Sequence, residues 1–186
     1  VTALAGRAGV SSFVVLHGVF AALLNLHGAG DDIVVGTVTA GRDSSALEDV
    51  VGFFVNTVVL RSDLSGDPTF EELLARLKLS DADCLAQADV AFDSVVERLN
   101  PDRSGGRHPL FQVMFTTQDH RREAVLGALF DVARARNLVV GSKFDLTLTL
   151  EERRDGIGVV ADYSRDLFDD ETAMVRIDMS EYSEKH

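Results

Sequence analysis

The chain has 186 residues, 46% of them hydrophobic, a formal net charge of −12 and a pI near 4.7. That length and apolar content suit a globular domain with a sizeable core and exclude a disordered chain. The acidic balance leaves no electrostatic footprint for nucleic acid, and no apolar run is seen that approaches the roughly 20 residues of a membrane span.

Taken in order, residues 1–30 lack the basic start and cleavage site of a signal peptide. The chain opens at Val1 in mid-pattern and reads as a piece of something longer. Residues 10–27 are expected to form a helix, capped by Ser11 or Ser12, with Phe13, Leu16, Phe20, Leu23 and Leu24 at helical spacing. His17 lies on this apolar helix and reads as a packed core histidine. Gly28 and Gly30 end the helix. Ile33–Ala40 reads as a buried strand, followed by Gly41-Arg42-Asp43 and a polar connection with Glu48 and Asp49.

Val50-Val-Gly-Phe-Phe-Val-Asn-Thr-Val-Val-Leu-Arg61 is the most apolar stretch of the middle of the chain. It reads as a strand, centred on 53–60 and covered on both faces. Gly52 allows a bulge or close backbone approach. A buried amide must find partners, so Asn56 either pins neighbouring backbone or faces a wet channel. Arg42 and Arg61 are free to pair with the abundant carboxylates, at about 0–1 kcal/mol each.

Asp63 to Pro68 is a turn. Thr69 should cap a helix from Phe70 to Leu85, with Glu71 and Glu72 in its first turn. Cys84, the single cysteine, rules out a disulfide within the chain and points to a reducing, cytoplasmic setting. A short helix is expected at Val90–Leu99, a breaker-rich loop at 100–109 and a strand at 110–118. Residues 119–142 give no clear pattern. Phe144, Leu146, Leu148 and Leu150 alternate on one face of a strand within 143–151, and Ile157–Tyr163 should pair with it in a hairpin around Arg154-Asp155-Gly156. The order predicts an α/β (α+β) fold, a mixed sheet with packed helices.

Several of these stretches resemble, in order, signatures of the condensation domains of nonribosomal peptide synthetases. Val51-Gly-Phe-Phe-Val-Asn-Thr57, followed by Leu60-Arg61, resembles the fifth signature, and Ile33–Arg42 the strand before it. Asp89-Val-Ala-Phe-Asp93 resembles a degraded sixth signature, with Gln87, Ala88 and Ala91 at its altered positions. Arg103–Leu110 and Phe111-Gln-Val-Met-Phe115 resemble the seventh, with His108 where the family usually has Asn. Lys143-Phe-Asp-Leu146 and Asp162–Phe168 resemble the closing strands. Six weak matches in register make a strong one.

The resemblance implies a chloramphenicol acetyltransferase-like fold of two lobes around a tunnel, of which residues 1–170 are similar to the C-terminal lobe. It implies amide-bond formation between thioesters carried on the phosphopantetheine arms of carrier domains, with no cofactor bound directly. A His-His-x-x-x-Asp-Gly motif on the other lobe would handle the proton. That motif is absent from this sequence; the nearest spacing is His27-Gly-Ala-Gly-Asp31-Asp32. No catalytic residue is therefore assigned, and no metal set or Ser-His-Asp spacing is visible. The family's floor and latch segments fall near 40–56 and 100–112, which makes Asn56, Thr57 and Gln112 the tunnel-lining candidates. Hydrogen bonding between strands is the competing role for each.

Alternative readings are a non-catalytic remnant or carrier-docking module, or a lobe of an epimerising or ester-forming relative. The expected partners are a separate N-terminal lobe, carrier domains and, through bare apolar surface, other copies of the chain. Residues 171–186 look different: Met174-Val-Arg-Ile-Asp-Met-Ser-Glu-Tyr182 resembles a Clp-family AAA+ disaggregase, with no phosphate-binding loop to accompany it.

Overall fold

The computed structural model describes residues 1–41, 47, 50–101, 107–119, 143–153 and 156–168. Arg42, Arg103, His120, most of 119–142 and the tail 171–186 with His186 lie outside the described residues. The chain forms two compact units, Val1–Gln112 and a second beginning at Val113.

In the first unit, helix α1 (Thr2–Ala8) precedes α2 (Ser12–Leu24), and the Ser11 side chain accepts a hydrogen bond from the Val14 amide as N-cap. A wider π-type turn, Asn25–Ala29, extends α2. Together Ser12–Ala29 give 18 residues at a mean hydropathy of 1.5, long and apolar enough to cross a membrane. This corrects the expectation that no stretch approaches membrane-span length, although Gly28, at φ 87°, kinks the segment near its end. Val14, Val15, Phe20 and Ala21 are nevertheless packed inside the unit, as in a core helix.

Strands β1 (Asp32–Thr39) and β2 (Asn56–Asp63) pair antiparallel, from Asp32 opposite Asp63 to Thr39 opposite Asn56. Arg61 makes a two-pronged ion pair with Asp32 across this ladder, at 2.7 Å for each hydrogen bond. The second strand thus begins three residues later than the sequence suggests and is not covered on both faces. Val58, Leu60 and Ser62 are buried, while Arg61 and Asp63 are exposed. The apolar run 50–55 lies outside the ladder, with Val51 100% and Phe53 89% exposed. Apolarity signals that a segment wants cover, but the ladder stops where β1 stops. There the chain crosses itself: a Cβ on Gly41, whose φ is 60°, would overlap the Phe54 carbonyl.

Helix α3 (Phe70–Leu85) opens on the expected cap. Thr69 and Glu72 bond each other's backbone amides in a capping box. Its stripe of Leu73, Leu74, Leu77 and Asp81 is buried. Gly18 lets α2 approach this helix closely, since a Cβ there would stand 3.1 Å from Leu77 and 3.2 Å from Leu74. Helix α4 (Phe92–Leu99) starts two residues later than expected and ends on Asn100 in the left-handed region.

The second unit pairs β3 (Val113–Asp119) parallel with β4 (Leu146–Arg153), and β4 antiparallel with β5 (Gly156–Tyr163). Arg153 faces Gly156 at the hairpin. Phe115, Leu148 and Leu150 are buried. The strand pairings are mixed, as the α/β expectation requires.

Candidate functional site

Asn56 is the first residue of β2, where the strand leaves the exposed 50–55 run. Its side-chain nitrogen donates to the Ala88 carbonyl at 2.8 Å and the Val90 carbonyl at 2.7 Å. Its oxygen accepts from the Phe92 amide at 3.2 Å, which is the first turn of α4. One amide therefore engages both donors and its acceptor and ties β2 to the connection between α3 and α4. Thr57, next to it, is half-buried and opposite Val38. Gln112 turns another way: its side-chain nitrogen donates to the His108 carbonyl at 2.9 Å. Asn56 and Thr57 thus share one strand end, while Gln112 stabilises the segment that leads into β3.

That segment is seated by aromatic packing. His108 lies against Phe92, with ring centroids 5.4 Å apart, and against Phe111 at 4.0 Å. Phe111 is fully buried and its ring occupies the space over Gly36 that any Cβ would fill. Burial holds the His108 imidazole below its ordinary value of 6.5, and a hydrogen bond with the Phe111 backbone opposes this more weakly. Phe92, Asp93, Val96, Arg107, His108 and Pro109 line an open depression of about 330 Å³.

His27 donates through Nδ1 to the Leu23 carbonyl at 2.9 Å, and Asp31 accepts from Asn25 at 3.0 Å. Both are exposed turn contacts, and the spacing 27–32 makes no shared site. No group of three or more metal-binding side chains occurs among the described residues.

One constellation escaped the sequence reading. His17 Nδ1 is 2.9 Å from Asp81 Oδ2, and Ser62 Oγ is 3.1 Å from His17 Nε2. The three come from α2, β2 and α3, at 0%, 0% and 1% exposure for His17, Ser62 and Asp81. The packed histidine expected at position 17 is thus joined to a serine and a carboxylate. The order of groups is that of a nucleophile, base and orienting acid, but no substrate carbonyl reaches a serine buried this deeply.

The condensation-domain family model matches residues 1–182, a span that enters the segment 171–186 for which the sequence suggested another origin. The chain is 43% identical over 175 residues to a dimodular nonribosomal peptide synthase of Bacillus subtilis (strain 168), covering 91% of this chain and 7% of that one. Among solved structures it is similar to the X-domain in complex with OxyB from teicoplanin biosynthesis, at 30% identity and a TM-score of 0.73, covering 91% of this chain and 38% of that one. A four-domain nonribosomal peptide synthetase bound to AMP and glycine gives a TM-score of 0.80 at 24% identity, over 92% of this chain and 14% of that one. The strand pairings and packed helices are those of solved condensation domains, the chloramphenicol acetyltransferase-like fold expected from the signatures. The family match and the relatives agree along the chain: it belongs to the condensation domains of nonribosomal peptide synthetases.

Proposed function

We propose that this chain is the C-terminal lobe of a condensation domain that joins carrier-bound acyl and aminoacyl thioesters through an amide bond, and that it is inactive by itself. The observation that carries this reading is a family match over residues 1–182 in a sequence without His-His-x-x-x-Asp-Gly. In this reading the lobe supplies one wall of the tunnel, at the strand end formed by Asn56 and Thr57, while Gln112 holds the segment before β3 from within. Its contribution is orientation of two phosphopantetheine-borne substrates rather than proton transfer. The bare apolar run 50–55 is the surface a second lobe would cover.

The test supplies both loaded carrier domains to the 186-residue chain, with and without a separately produced N-terminal lobe bearing the motif. Mass spectrometry then follows dipeptidyl transfer on the acceptor arm. Transfer is expected only when the second lobe is present or fused in frame. Transfer by the chain alone would overturn the reading.

A second reading, a docking module without chemistry, draws support from the X-domain relative, which forms a complex with OxyB. It gains ground if the fused two-lobe protein binds a loaded carrier domain but transfers nothing.

A further inference from the structure

We propose that Ser62, His17 and Asp81 form a buried register lock, which holds β2 against α2 and α3 and so fixes where Asn56 lies. The starting point is the pattern of ties along β2. Arg76 of α3 donates to the Asp63 carbonyl at 3.0 Å. Asp81 reaches Ser62 through His17. Cys84 donates through Sγ to the Val59 carbonyl at 3.2 Å. Asn56 then grips Ala88 and Val90. Contact points step back along β2 from 63 to 62, 59 and 56, while they advance from 76 to 81, 84 and 88. Strand β2 is therefore fastened in antiparallel register to α3, and at Asn56 to the connection that follows it.

The tie through His17 differs from the others in being fully inside the core. Nonpolar packing is non-directional and tolerates sliding, whereas a hydrogen-bond chain of three side chains has one satisfying arrangement. Asp81 is also exacting, because its Oδ1 is buried without a hydrogen-bond partner among the described residues. His17 is thus the group that compensates the carboxylate. Sliding either helix by one turn would strand that carboxylate in an apolar interior.

The experiment uses the full 186-residue chain and the variants His17→Leu, Asp81→Leu, their combination, and Ser62→Ala. Denaturant unfolding reads stability, and hydrogen exchange reads the Phe92 amide, which bonds Asn56. His17→Leu should lower the folding equilibrium constant by roughly a hundredfold or more, since it leaves Asp81 buried alone. The double variant should regain most of that loss, yet exchange faster at Phe92 than the parent. Ser62→Ala, the mildest change, should also speed exchange at Phe92, and it keeps the test open if His17→Leu does not fold. Additive losses in the double variant, or parental exchange at Phe92 in the double variant or in Ser62→Ala, would overturn the proposal. So would labelling of Ser62 in the folded chain by a fluorophosphonate, because that requires a serine open to solvent and activated.

Discussion

At the scale of single residues, Asn56 shows how a side chain can be read correctly in kind and incompletely in place. A polar amide in an apolar run announces that it needs partners, but the partners at 88, 90 and 92 are more than thirty residues away and leave no local trace. Asn56→Ala should cost about 1–3 kcal/mol, because two carbonyls and one amide lose their bonds together; chemical denaturation measures it. Asp81 was more legible than its partners suggest. It continues the stripe of Leu73 and Leu77 at helical spacing, as Ser62 continues Val58 and Leu60 at strand spacing. Polar residues in the buried phase of two neighbouring elements are the signal that pairs them. His108 carries the pH dependence. Its folded pKa lies below its ordinary 6.5, so the stability of the neutral ring is complete above that pH and is lost as pH falls through the lowered value. His108→Asn should flatten the stability profile just below pH 6.5. The lowered carboxylates Asp32, Asp63 and Glu72 would still lose their contribution at lower pH in both proteins. Unfolding midpoints measured across that range decide it.

At the scale of elements, α3 was legible because its signals are local: the cap and the acidic first turn lie within one segment. Strand β2 was not, because its start is set by the end of its ladder partner at Thr39 rather than by its own apolar residues. The segment before β3 depends likewise on a distant fit, the Phe111 ring against Gly36. Gly36→Ala should destabilise by about 1–3 kcal/mol through forced displacement of that ring. Combined with Phe111→Leu, the cost should be smaller than the two losses added, since both act on one space. Strictly additive values in thermal unfolding would mean that Phe111 settles elsewhere at little cost.

At the scale of the whole molecule, family and fold class were readable because several weak signatures occur in one order, and order is harder to imitate than any one signature. What covers the bare run 50–55 was not readable, since apolar residues advertise burial without naming the surface that provides it. The isolated chain should self-associate through Val51 and Phe53, and the net charge of −12 should oppose this. Light scattering should therefore show association that grows with added salt, as repulsion is screened, and that falls in Val51→Ser/Phe53→Ser. The ties between β2 and α3 have a practical consequence for anyone building chimaeras from such synthetases. Ser62 answers to Asp81 and Asn56 to Phe92, so a crossover placed between those positions would unite halves selected for different mates. The stretch from α2 to the start of α4 should be inherited as one indivisible block.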